Sequence, residues 1–245
     1  MTFPEILSPS CALFLDFDGT MVDLAPQPAA VEVPAPLIPL LRHLERDLQG
    51  AVAVISGRPI AQIDAFLQPL KLPVAGVHGA ERRGGDGRLH LLDTHPLDHV
   101  EEAACDLAAQ HPGLLVENKR GSIALHYRQR PELEALCLRA MQQAVDESPG
   151  LTLMRGKMVL EAKPGGATKG LAIEAFLAEA PFAGRTPVFI GDDVTDEAGF
   201  TTVQRLGGVG VKVGEGETAA RLRLTDPAAL RRELEAAVAA RERNP

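Results

Sequence analysis

Asp16 and Asp18 are the residues best placed to do chemistry: two carboxylates one residue apart, followed at once by Gly19 and Thr20. Like charges held this close repel, so at neutral pH they need a cation or a shared proton. A hard divalent ion such as Mg²⁺ takes oxygen ligands and commonly bridges carboxylates to a phosphate. Asp16 can then act as a nucleophile that accepts a phosphoryl group. Asp18 can protonate the leaving oxygen and afterwards activate the water that cleaves the aspartyl phosphate. Gly19 permits a tight turn, and the Thr20 hydroxyl can support the loop or a carboxylate. The alternative is a turn of solvated acids after a core strand.

The element that must position this pair is the apolar run Leu13-Phe14-Leu15. An apolar run closed by a glycine turn reads as a buried parallel strand. Ligands of open α/β sheets sit just beyond the carboxyl ends of such strands. Three more segments share this design. Ala51-Val52-Ala53-Val54-Ile55 runs into Ser56-Gly57-Arg58-Pro59, ahead of a helix expected over 60–67. There a hydroxyl and free backbone amides suit a phosphoryl oxygen, or Ser56 is a plain helix cap. Arg58 either touches phosphate or braces the loop. The strand expected over 74–81 carries His78, which reads as a ligand, a general base or a hydrogen-bonded loop residue. Thr186-Pro187-Val188-Phe189-Ile190 leads into Gly191-Asp192-Asp193-Val194-Thr195-Asp196-Glu197. Asp192 is the best second supplier of carboxylate to a metal, with Asp193 and Asp196 orienting waters or Lys169. A merely acidic helix start is the alternative. Lys169, at the start of a helix expected over 169–179, can neutralise a phosphorylated aspartate, or it is a surface lysine. The preceding run lacks P-loop spacing.

Between these parts, residues 86–164 read as an inserted lobe. Helical patterns at 96–110 and 131–147 alternate with strand pairs at 114–118/122–128 and 151–155/158–162. The first pair is joined by Lys119-Arg120-Gly121 and the second by Gly156-Lys157, both hairpin signals. Two hairpins imply an antiparallel sheet with two helices on one face. The organisation expected is a core of residues 1–85 and 165–245 with a second domain at 86–164. Glu117, Lys119 and Glu161 fall at hairpin ends, where carboxylates and an ammonium can bracket sugar hydroxyls; solvated edge charge is the alternative.

The 245 residues carry a net charge of −8 and no Trp. That balance disfavours a nucleic-acid or anionic-membrane partner, so an anionic substrate needs local Lys and Arg. The cysteines Cys11, Cys105 and Cys137 show no metal-ligand spacing and read as residues of a reducing compartment. No signal peptide pattern and no bilayer-length apolar run are visible. A cytoplasmic monomer without membrane contact is the expectation.

The segments D-F-D-G-T, S-G-R, K-G and G-D-D-x-T-D-E, in that order, together resemble the haloacid dehalogenase superfamily of phosphatases. The finer resemblance is to trehalose-6-phosphate phosphatases. It is carried by Gly76-Val77-His78-Gly79-Ala80-Glu81, Glu117-Asn118-Lys119, Ser122 with His126-Tyr127-Arg128, Gly156-Lys157 with Glu161, and the 191–197 segment with Phe200. The resemblance implies an α/β fold: a Rossmann-like parallel-sheet core with a mobile inserted α+β cap. It implies Asp16 as nucleophile and Asp18 as acid/base, aided by Lys169 and Ser56. Mg²⁺ is expected on Asp16, the Asp18 backbone carbonyl and Asp192. Ser56, Gly57, Arg58 and His78 are expected at the substrate, and Glu117, Lys119 and Glu161 at the distal sugar. The implied reaction releases trehalose and phosphate, the last step of trehalose biosynthesis. Another sugar phosphatase, for instance one acting on sucrose phosphate, and a non-catalytic sugar-phosphate sensor are the alternatives.

Overall fold

The computed structural model describes residues 3–27, 30–92, 96–119 and 121–243. Arg120 of the expected hairpin turn, part of the Pro-rich connector after Ala25, and both chain ends therefore lie outside the described residues. In chain order the strands are β1 (Cys11–Leu15), β2 (Val52–Ile55), β3 (Val74–Gly76), β4 (Glu81–Arg83), β5 (Leu89–Leu91), β6 (Leu115–Lys119), β7 (Ser122–His126), β8 (Leu151–Gly156), β9 (Val159–Pro164), β10 (Thr186–Gly191), β11 (Val209–Val213) and β12 (Leu222–Leu224). The helices are α1 (Phe3–Ile6), α2 (Leu37–Asp47), α3 (Ile60–Leu67), α4 (Asp98–Gln110), α5 (Glu134–Asp146), α6 (Lys169–Leu177), α7 (Glu197–Arg205) and α8 (Pro227–Arg243). They form two compact units, one of Met1–His90 with Thr168–Pro245, the other Leu91–Ala167.

In the first unit, the runs without polar alternation become the central strands. Every residue of β1, β2, β3 and β11 is buried, as a parallel sheet covered on both faces requires. The sheet order is β12-β11-β10-β1-β2-β3-β4-β5, parallel from β12 through β3. From β1 the chain builds outward through β2 and β3. It later returns on the other side of β1 with β10. The order thus reverses between β1 and β10, the topological switch point where such sheets open a crevice.

The strand expected over 74–81 ends early. Val77, His78 and Gly79 take φ of +48°, +55° and +107°, which L-residues adopt reluctantly. The chain reverses there and continues as β4, antiparallel to β3. The Glu81 carboxylate fixes the reversal by accepting from the Ile60 amide at 2.5 Å. The polar stretch from Glu81 adds the short strands β4 and β5 to that end of the sheet.

In the second unit, β6-β7-β9-β8 form an antiparallel sheet. Ile123, Leu125, Leu160 and Ala162 share a core with Val100, Ala104, Cys137 and Met141 of α4 and α5. Strand alternation therefore sends Glu117, Lys119, Ser122, Ala124, His126 and Glu161 to the opposite face.

Candidate active site

Asp16 follows β1 directly, and its amide still bonds the Ile190 carbonyl of β10 at 2.9 Å. Its carboxylate is consequently delivered to the switch point with little freedom. Lys169 is the first residue of α6, a helix started by Thr168, whose Oγ1 accepts from the Leu171 amide at 3.1 Å. Gly170 lets α6 lie close on α7; a Cβ there would stand 2.6 Å from Thr202 Oγ1 and 2.8 Å from the Ala198 carbonyl oxygen. The buried Lys169 ammonium donates to Asp16 Oδ1 at 2.7 Å and to Asp196 Oδ1 at 2.6 Å.

Asp196 is the hub of the loop after β10. Its Oδ2 accepts from the amides of Asp192 and Asp193, both at 2.9 Å. Asp193 in turn caps the next turn through the Val194 amide at 2.8 Å. Asp192 is thereby presented beside Asp16, and the Thr20 hydroxyl lies 3.2 Å from Asp16 Oδ2 and 3.3 Å from Asp192 Oδ1. One hydroxyl proton serves two carboxylates. Gly19, at φ +76°, makes the approach feasible, since a Cβ would stand 2.2 Å from Asp192 Oδ2.

The electrostatics follow from this packing. Burial, then Asp196 and Asp192, push the Asp16 carboxyl well above its ordinary value, against the Lys169 ammonium. Burial and Asp196 raise Asp192 to about 6. Burial by itself would lower Lys169, but Asp16 and Asp196 outweigh it and hold the ammonium above its ordinary value. The site is short of positive charge. Asp16, Asp192 and Asp196 each offer an oxygen, all within 4.8 Å of one another. Excess carboxylate and hard oxygen donors suit a divalent cation. Asp196 is held by Lys169 and two backbone amides. Among the described residues, Asp16 Oδ2 and Asp192 Oδ1 meet only the shared Thr20 hydroxyl, at 3.2 and 3.3 Å, which makes Asp16 and Asp192 the better-placed side chains for such an ion.

The Asp18 side chain turns to the end of β2. Arg58 grips it with a two-pronged ion pair, Nε to Oδ2 at 2.6 Å and Nη2 to Oδ1 at 2.8 Å. Arg58 is itself steadied by the Phe66 ring at 5.1 Å and by Gln62 Oε1 at 3.2 Å. Ser56 does not cap α3: the cap position is Pro59, without a side-chain bond. The Ser56 hydroxyl instead accepts from the Arg58 amide at 3.1 Å. His78 is buried beside this loop. Its amide donates to the Ser56 carbonyl at 2.9 Å, and a Cβ on Gly57 would stand 2.8 Å from its ring. Asp16, Asp18, Ser56, Gly57, Arg58, His78, Lys169 and Asp192 thus cluster at the ends of β1, β2, β3 and β10.

Lys212, not anticipated from the sequence, donates its ammonium to the Asp192 backbone carbonyl. It lies in β11, where Val211-Lys212-Val213 reads as an ordinary strand; a lysine inside a wholly buried run was the signal available.

Glu117, Lys119 and Glu161 sit together on the polar face of the second unit's sheet. Lys119 donates to Glu161 Oε2 at 3.1 Å, and Ser122 to Glu161 Oε1 at 2.7 Å. Glu117 Oε2 lies 2.9 Å from His126 Nε2. The His126 hydrogen bond, with help from Lys119, holds the Glu117 carboxyl below its ordinary value despite partial burial.

Comparison with known proteins places the chain in a family. The family model described as trehalose-phosphatase matches residues 14–228. The chain is 45% identical over 229 residues to the trehalose-6-phosphate phosphatase of Escherichia coli K12, covering 90% of this chain and 84% of that protein. It is also 45% identical over 208 residues to a probable trehalose-phosphate phosphatase of Sinorhizobium fredii, covering 83% and 77%. The solved C-terminal domain of the C. albicans trehalose-6-phosphate phosphatase shares the fold, with a TM-score of 0.86 at 20% identity, covering 98% of this chain and 97% of that one. Among the described residues no helix is long and apolar enough to cross a membrane. The chain belongs to the trehalose-phosphatase family.

Proposed function

We propose that this chain is a Mg²⁺-dependent phosphatase that hydrolyses trehalose 6-phosphate to trehalose and phosphate through an aspartyl phosphate on Asp16. The observation that carries the reading is the group of Asp16, Asp192 and Asp196, two of them buried, with Lys169 at the switch point of the sheet. Residues 1–85 and 165–245 are the hydrolase core and 86–164 the cap. Asp16, Asp192 and the Asp18 backbone carbonyl would hold the Mg²⁺, the Asp18 side chain being taken by Arg58. When bound, the ion supplies positive charge to phosphate oxygens.

Asp16 attacks phosphorus, forming an Asp16 O–P bond as the bond to the sugar 6-oxygen breaks. Asp18 gives that oxygen a proton, so trehalose leaves neutral. Asp18, now a carboxylate, takes a proton from water, and the resulting hydroxide displaces the Asp16 carboxylate from phosphorus. Lys169 and Ser56 offset charge on the oxygens in transfer. Lys169 is already bonded to Asp16, so it needs no reorganisation for this. Arg58 donates to both Asp18 oxygens, so it must release at least one of them before that oxygen can face the leaving group. A phosphate, more highly charged than a carboxylate, is the natural competitor for the guanidinium; Gly57 and His78 shape the loop that receives it. In the cap, Glu117, Lys119 and Glu161 offer two acceptors and a donor to the hydroxyls of the distal glucose.

The test is to quench the reaction early, reduce with borohydride and map peptides. An aspartyl phosphate is thereby converted to homoserine, expected at residue 16. Turnover with the modification at another residue would contradict the assignment.

A further inference from the structure

The polar face of the second sheet contains a side chain with no assigned task. Tyr127 belongs to the core under the helices, and its hydroxyl reaches Glu134 at 3.2 Å. Alternation therefore turns His126 to the opposite face. In the β6–β7 register His126 pairs with Leu115, and Glu117 pairs with Ala124. His126 and Glu117 are thus diagonal neighbours on one face, a spacing that long side chains span. The ring meets the carboxylate at 2.9 Å with both side chains about a quarter exposed, 25% and 27%. A carboxylate only accepts, so the facing Nε2 carries the proton.

We propose that His126 is a positioning residue for sugar recognition: its Nε2–H fixes the Glu117 carboxylate so that the remaining lone pairs are aimed at a sugar hydroxyl. This rests on the reading of Glu117 as a sugar contact. Glu161 is held by Ser122 and Lys119, and His126 performs the same service for Glu117 from the far end of β7. A glutamate with several free torsions loses that freedom when it binds a ligand; one already fixed does not. The groups facing the pair are Lys119 and Glu161, one of each sign. The lowered Glu117 carboxyl agrees with a donor already in place.

The test compares His126→Ala and His126→Gln in the full chain, using trehalose 6-phosphate and p-nitrophenyl phosphate, which has no sugar hydroxyls. His126→Ala should raise KM for the sugar ester on the order of 3–10-fold, as expected for ordering one long side chain. It should leave kcat within about 2-fold and p-nitrophenyl phosphate turnover unchanged. His126→Gln, which keeps an N–H donor, should recover most of the loss. In a Glu117→Ala background His126→Ala should add nothing, because the ring acts through that carboxylate. An unchanged KM in His126→Ala, equal losses on both esters, or full additivity with Glu117→Ala would overturn the proposal. Should the unaltered protein fail to prefer trehalose 6-phosphate over glucose 6-phosphate, the reading of Glu117 falls and takes this inference with it. A retained preference with an unchanged variant KM overturns this inference alone.

Discussion

At the ends of β1 and β10, buried Asp16 and Asp196 share the Lys169 ammonium with half-buried Asp192 beside them, whereas on the polar face of the second sheet Glu117 and Glu161 each have a partner of their own. The consequences run in opposite directions. In the first region burial wins, and Asp16 and Asp192 are raised. In the second the hydrogen bond wins, and Glu117 is lowered. A site short of positive charge is arranged to receive a cation and to do chemistry with it. A site in which each carboxylate already has a hydrogen-bond donor is arranged to hold its shape and to recognise. Both are built on strand ends and strand faces, so neither depends on a long loop for its geometry.

The contrast breaks most sharply at Asp16. Asp16→Asn keeps the size of the side chain and removes the nucleophile, so kcat should fall at least ~10³-fold with little change in melting temperature. Substitutions of Glu117 or Glu161 to Gln should act chiefly on KM for the sugar ester and spare turnover of p-nitrophenyl phosphate. A KM effect from Asp16→Asn with kcat preserved would show the two regions to be alike.

The next largest effect concerns the lysines. Lys169→Met strands two buried carboxylates and should destabilise the protein by about 3–5 kcal/mol in denaturant titrations. Lys119→Met leaves Glu161 with Ser122 and should cost less, about 1.5–3 kcal/mol. Equal losses would remove the distinction between a shared ammonium and a dedicated one.

A third test uses pH. Asp192 has an ordinary value of 3.8 and is raised to about 6 in the folded protein. Without divalent cation the folded form holds a proton there that the unfolded chain has released. Stability should therefore rise as pH falls from above 6 towards 4. Saturating Mg²⁺ takes the place of that proton, so melting temperatures between pH 7.5 and 5.5 should become flatter when it is added. An identical pH dependence with and without the ion would count against Asp192 as a ligand.

The smallest effect is in the second region and has the other sign. The lowered Glu117 carboxyl contributes stability above its ordinary value of 4.5 that is lost as pH falls through its folded-state value. In His126→Ala the carboxyl midpoint, followed by carbon NMR, should move up towards 4.5. No movement would leave His126 a bystander.

Most of the first region is legible in the sequence because strand ends announce it. β1, β2 and β10 are apolar runs that stop at Asp16, Ser56 and Gly191, and parallel strands bring their ends together. The match of Lys169 to Asp16 follows from that placement. Other features are set by contacts across the fold. Lys212 reaches the Asp192 carbonyl from a neighbouring strand whose local pattern is unremarkable. The reversal at Val77 uses a β-branched residue in a conformation it adopts reluctantly, so turn chemistry gives no warning of it. The strands β4, β5 and β12, at the sheet's edges or next to one, are three residues each and rich in arginine or exposed leucine, which is why they resemble loops. In the second unit the hairpins are readable, but the meeting of His126 with Glu117 depends on register, and register is fixed only once the turn is known.

The most direct measurement is phosphate release from trehalose 6-phosphate, with glucose 6-phosphate and sucrose 6-phosphate alongside, each with and without Mg²⁺. Turnover should require the ion and strongly favour the trehalose ester. Equal or faster release from another ester would contradict the sugar-recognition role of Glu117, Lys119 and Glu161. Release that ignores Mg²⁺ would contradict the role given to Asp16 and Asp192.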